Sequence, residues 1–146
     1  MHLSGDFLFR LVLGHLVGDY LLQSLHQALN KKKSVWICLE HCLTYTLSIC
    51  FFTMQFWWEL SRYKITIIIA GVFLSHFILD YTDLVNKWLH HMKSRSYAKT
   101  EEYVKSLSED TRDALTDYAR AYTALVQAIA DNTLHLFFMY FLFRAI

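Results

Sequence analysis

The chain has no proline and only four glycines among its 146 residues. Proline breaks helices and glycine marks turns and linkers, so their scarcity excludes a loop-rich architecture and favours long unbroken helices over sheet. Three cysteines, Cys38, Cys42 and Cys50, fall in one apolar stretch. They form no disulfide framework and read as reduced, small apolar residues. A formal net charge of +1 gives no argument for nucleic acid, which is not an expected partner. No His-Glu-x-x-His helix, phosphate-binding glycine loop, Gly-x-Ser-x-Gly elbow or arginine-rich voltage-sensor spacing is present. The apolar run from Phe7 lacks a basic flank and a small-residue cleavage site, so it reads as a retained crossing and not a leader.

What the chain does have is hydrophobicity, at 55% of residues, with 16% aromatics. The expected fold is all-α: a single domain over 1–146, a polytopic membrane protein with four transmembrane helices. The crossings are expected at about residues 7–24, 35–58, 65–84 and 124–143, with an amphipathic cytoplasmic helical segment between the third and fourth, at about 86–122. That segment reads as a helical hairpin or interfacial helix, and Ser106 with Glu109 has the form of a capping box. Gly14 and Gly18, four apart, would let a neighbouring helix approach closely. Phe56, Trp57 and Trp58 suit a membrane interface. The basic residues gather beside the first and third connections, led by Lys31, Lys32 and Lys33. The positive-inside rule therefore puts that side in the cytoplasm of a bacterial inner membrane, with both termini periplasmic.

The polar exceptions inside the apolar runs are patterned. His15 and Asp19, His76 and Asp80, and in reverse order Asp131 and His135 are each four residues apart, which puts both side chains on one helix face. Chance placement of eight histidines and eight aspartates gives about one such pair, and the chain has four, counting His2 and Asp6 near the amino end. The terminal pair is given no role. Because the fourth crossing runs opposite to the first and third, the inverted order brings the three histidines level, and the three aspartates level. Gln23 extends the first stripe, and His41 sits under two turns into the second crossing. Ionisable groups at membrane depth cost about 2.5–3.5 kcal/mol each and mark functional sites.

Imidazole and carboxylate together suit a divalent metal, Zn foremost, with Mn or Fe as alternatives. The expected ligands are His15, Asp19, His76, Asp80, Asp131 and His135, with His41 and Gln23 as catalytic or supporting groups. The leading expectation is a metal-dependent hydrolase of a phosphoester or lipid-like substrate near the cytoplasmic face. Two alternatives use the same residues differently or not at all. One is an ion or proton conductor; the other is a non-enzymatic interaction protein acting on a host membrane partner through the charged segment. Expected partners are the lipid bilayer and an anionic lipid or phosphoester substrate. A homodimer or a membrane-protein partner stays open. Lys31 to Lys33, with Lys87, His90 and His91, would attract anionic headgroups at the mouth. The spacing Cys38-x-x-His41-Cys42 also looks like ligands, but apolar packing accounts for those cysteines.

The string from His15 through Asp19 to Gln23, the lysine cluster after it, His41, the run Ser75-His76-Phe-Ile-Leu-Asp80-Tyr81, and Asp131-Asn132-x-x-His135 together resemble a known family. It is the "domain of unknown function 3307" family of small bacterial and phage integral membrane proteins. The resemblance spans nearly all four apolar segments and implies a polytopic membrane protein with no established activity. Asn132 stands where the family pattern has Gln. The family is in turn distantly similar to the membrane-bound metal-dependent hydrolases, an analogy of fold.

Overall fold

The computed structural model describes residues 4–58, 60–93 and 97–146, and all regular structure among them is helical. Ser4 caps α1 (Gly5–Leu16), its Oγ accepting the Phe7 N–H at 3.2 Å. Asp6 in the first turn pairs with Arg10 at 3.2 Å and accepts from the Gln55 amide at 3.1 Å; His2, the other half of the terminal pair, lies outside the described residues. Val17–Leu21 then widens into a π-helical turn, closed by the Leu22 N–H on the Val17 carbonyl at 3.0 Å. The short α2 (Leu25–Asn30) opens on a reciprocal capping box between Ser24 and Gln27. Next come α3 (Val35–Thr53), tightening into a 3-10 turn at Met54–Phe56, and α4 (Arg62–Thr82). Asp83, in the left-handed region at φ 53°, separates α4 from α5 (Leu84–Lys93), which is followed by α6 (Tyr97–Ser106) and α7 (Glu109–Ala145).

Among the described residues, three stretches are long and apolar enough to cross a membrane: Val35–Phe56, Arg62–Thr82 and Leu115–Ala145. These correspond to the second, third and fourth expected crossings. The twelve residues of α1 and the five of the π turn span about 25 Å, short of a hydrocarbon core of about 30 Å.

The chain forms two units, Met1–Thr82 with His135–Ile146, and Asp83–Leu134. In the first, α3 is central and packs against α1 and α4. Its apolar core holds Phe7, Leu11, Tyr45, Ile49, Ile68, Val72, Met139 and Phe143. Phe7 meets Phe56 and Phe143 edge-on, with centroids at 5.1 and 4.9 Å. The expected close approach at the glycines is present. A Cβ on Gly14 would come 3.2 Å from Ile49 Cα, and one on Gly18 would come 2.8 Å from Tyr45 Cδ2. Ser48 donates from Oγ to the Gly14 carbonyl at 2.8 Å, tying the same two helices together.

The second unit contains the expected hairpin, formed by α6 and the first part of α7. Thr100 and Thr123 bring their hydroxyls to 2.6 Å, and Arg120 donates to Glu101 at 2.7 Å. The guanidinium holds that exposed carboxyl below the usual range. The turn differs from the expected capping box. Ser106 ends α6 with its Oγ on the Tyr103 carbonyl, and Ser108 is the residue ahead of α7, its carbonyl accepting the Arg112 N–H at 2.8 Å. Residues 109–122 run unbroken into the last apolar stretch, because Ala119, Ala121 and Ala124 favour helix and no breaker intervenes.

Candidate metal centre

One register explains the site. Inward positions of α1 and its π turn fall at Phe7, Leu11, His15 and Asp19; those of α4 at Ile68, Val72, His76 and Asp80; those of α3 at Ile49, Tyr45 and His41; and those of α7 at Phe143, Met139 and His135. Each series steps by four residues along one helix face. Each is apolar toward one end and polar toward the other, so the four polar ends meet. Asp80 lies two residues before α4 ends, His41 lies in the second turn of α3, and Asp19 lies in the π turn.

The atoms converge closely. His41 Nε2 is 3.2 Å from Asp19 Oδ1 and 3.2 Å from Asp80 Oδ2; His76 Nε2 is 3.4 Å and 3.3 Å from the same two oxygens. The two Nε2 atoms are 3.0 Å apart. Asp19 Oδ1 and Asp80 Oδ2 are buried yet meet neither imidazole in good hydrogen-bond geometry. Lys31 reaches Asp80 Oδ2 with its ammonium, at 2.7 Å. His135 Nε2 approaches Asp80 Oδ1 at 3.9 Å. In Asp19, His76 and His135, one ligand atom from each lies within 4.8 Å of the others, and the same holds for His41, His76 and Asp80.

His15 lies one step out. Its Nδ1 is 3.4 Å from Asp19 Oδ2 and 2.8 Å from the Tyr45 hydroxyl, so it faces the oxygen of Asp19 turned away from the cluster. The Gln23 amide nitrogen is 3.0 and 3.2 Å from the two ring nitrogens of His41. Asp131 and Asn132 belong to the second unit, as do Lys87, His90 and His91. Cys38 and Cys42 are buried with their sulfurs 3.9 Å apart, facing each other.

Three features go beyond the residues expected from sequence, or change their roles. His41, expected as a catalytic or supporting group, stands as close to the carboxylates as His76 does. Lys31, expected at the mouth as a topology signal, touches Asp80. Tyr45 was missed altogether: it is buried, its ring stacks on His76 at 3.6 Å and 11°, and its hydroxyl lies between His15 and Met139 Sδ, to which it donates at 3.3 Å. His76 Nδ1 has no hydrogen-bond partner among the described residues, so its ring is oriented by this stack. The signal was there, since Tyr45 follows His41 by four residues in the same apolar run.

Fold and site together define an all-helical protein with membrane-length apolar helices and a buried His/Asp cluster fit to hold a cation. Residues 7–144 match the family described as "Protein of unknown function (DUF3307)", and the chain belongs to that family. No curated protein and no solved structure matches it.

Proposed function

We propose that the chain is a membrane-embedded, metal-dependent hydrolase acting on a phosphoester or lipid-like substrate near the cytoplasmic face of a bacterial inner membrane. One observation carries the reading. A tetrahedral ion with bonds of 2.0–2.1 Å holds its ligand atoms about 3.3–3.4 Å apart, and five separations among His41 Nε2, His76 Nε2, Asp19 Oδ1 and Asp80 Oδ2 lie between 3.0 and 3.4 Å. Asp19 Oδ1, a carboxylate oxygen buried without a well-aligned donor, is an atom that an ion would satisfy.

In this reading His41, His76 and Asp80 are the permanent ligands, a set of two imidazoles and one carboxylate that suits Zn, with Mn or Fe as alternatives. When bound, the ion supplies a polarised water and a Lewis acid for a phosphoryl oxygen. Asp19 would be a fourth ligand, and the one best placed to leave room for water. Its side chain is the most exposed of the four, at 10% against 3% or less for the others, and it sits on a π turn, a local widening frequent at functional sites. Asp19 would also be the group that accepts a proton from the attacking water. His15 orients Asp19 from behind, Gln23 lies against the His41 ring, and His135 is the remaining polar group of the site. The conductor reading is less well supported, because the polar groups gather in one cluster and do not string along a path.

The test is metal content of the detergent-purified protein by inductively coupled plasma mass spectrometry, with hydrolysis of aryl phosphate mono- and diesters measured alongside. The wild type is expected to hold stoichiometric metal, Asp80→Ala and His76→Ala to lose it, and Asp19→Asn to keep it while hydrolysis falls a hundredfold or more. A monodisperse wild type that takes up no Zn, Mn or Fe ends the reading.

A further inference from the structure

Asp80 Oδ2 already has a cation beside it. The Lys31 ammonium is 2.7 Å from this oxygen, with the lysine side chain 11% exposed and the aspartate 3%. The same oxygen faces His41 Nε2 at 3.2 Å and His76 Nε2 at 3.3 Å, so it belongs at once to the lysine contact and to the proposed ligand set. A buried carboxylate without a counter-charge is costly, and in the empty site the ammonium offsets that cost. The two uses of the oxygen conflict. An ion bonded to it at about 2.0–2.2 Å would stand within about 4.9 Å of an ammonium that stayed in place. Out of bulk water, like charges at that range repel strongly.

We propose that Lys31 is a built-in counter-cation which a metal ion displaces, so that the centre fills by exchange of the ammonium for the ion. The inference rests on the proposed metal site and adds how that site is kept while empty and how it is filled. Lysine suits the task, because a single charge on a flexible four-carbon stem can withdraw while the main chain stays fixed. The main chain is held at this point: the Lys31 N–H donates to the Gln27 carbonyl at 2.8 Å, and the capping box of Ser24 and Gln27 secures the other end of α2. In the empty protein the ammonium compensates Asp80 with Oδ2 facing both imidazoles. When an ion arrives, Asp80 changes partner. The exchange is reciprocal, since whatever the lysine contact subtracts from metal affinity the metal subtracts from the contact. Lys31 therefore lowers the affinity of the centre for metal and stabilises the centre while it is empty. A lysine that only braced Asp80 for the metal would do the opposite, and its loss would weaken metal binding.

The experiment uses the detergent-purified full chain, stripped with a chelator and reloaded with Zn. In the wild type, acetylation by an amine-reactive ester is followed at Lys31 and at the exposed Lys33 by peptide mass spectrometry. Zn is expected to speed acetylation of Lys31 at least fivefold and to leave Lys33 unchanged. Zn affinity is then measured by competition with a chromogenic chelator. Lys31→Gln is expected to bind Zn at least tenfold more tightly than the wild type while unfolding at a lower temperature without it. Lys31→Arg, which keeps the charge, is expected to bind Zn no more tightly than the wild type. A Zn-loaded wild type whose Lys31 reacts no faster than in the empty protein overturns the exchange and leaves the metal site standing, as does a Lys31→Gln variant that binds Zn equally or more weakly. A wild type that takes up no Zn, Mn or Fe overturns both. Because acetylation is read on the wild type, the outcome does not depend on either variant folding.

Discussion

Tyr45 touches two of the site histidines without being able to ligate a metal through its ring. Its stack on His76 and its hydroxyl beside His15 separate into two variants. Tyr45→Phe keeps the stack and removes a buried hydrogen-bonding group, a loss of about 0.5–1.5 kcal/mol. Tyr45→Ala removes the ring, at a cost of about 3–5 kcal/mol, and leaves His76 without the surface that sets its plane. Zn affinity measured by competition with a chromogenic chelator should hold within severalfold in the Phe variant and fall about 10–100-fold in the Ala variant, the usual cost of losing an orienting neighbour. Equal affinity in both would mean that the stack does not position His76. At this scale the sequence was readable where two polar groups shared a face: His15 with Asp19 and His76 with Asp80 each stood out at a spacing of four. A single tyrosine in an apolar run reads as packing, and a lysine in a basic triplet reads as a topology signal. Tyr45 and Lys31 acquire their roles only through partners 31 and 49 residues away in His76 and Asp80.

The helices themselves were largely legible, because apolar length without breakers leaves few alternatives in a membrane. What was not legible is how the first of them ends. A π turn needs one carbonyl to wait for a donor five residues on, and here it coincides with the point where Gly18 meets the Tyr45 backbone. That contact is tertiary and has no local signature. It makes Gly14, Gly18 and Gly71 unequal. A Cβ at Gly18 would press on Tyr45 Cδ2 at 2.8 Å and on its Cα at 3.2 Å, and at Gly14 on Ile49 Cα at 3.2 Å. At Gly71 the nearest atom is closer still, at 2.6 Å, but it is the methyl end of Leu142, which can turn aside. Gly18→Ala is therefore expected to destabilise by about 1–3 kcal/mol through overpacking, Gly14→Ala by less, and Gly71→Ala to be neutral or to stabilise by up to about 1 kcal/mol from helix propensity. Thermal unfolding in one detergent checks the order; a Gly71 variant that falls below the Gly18 variant would reverse it.

At the scale of the whole molecule, the question is whether α1 crosses. With its π turn it is shorter than a typical core, yet the surface continues apolar past its end, through the exposed Leu21, Leu22, Leu25 and Leu29. If α1 crosses, a short span flanked by such residues would be accommodated by local thinning, with α2 at the interface. Asp6 and Arg10 occupy the opposite end, and the lysines at 31–33 follow α2. A crossing α1 would place Ser4 and Lys32 on opposite sides, and the positive-inside rule would then put the lysines in the cytoplasm. Membrane-impermeant maleimide applied to intact cells should label Ser4→Cys at once and Lys32→Cys only after permeabilisation. The unmodified chain is the blank, since Cys38 and Cys42 are buried and Cys50 is half-buried. The reverse pattern would invert the orientation and put the site at the periplasmic face. Labelling of both positions from the same side would mean that α1 enters and returns, which leaves three crossings and brings the π turn to the surface as a re-entrant edge of the metal centre.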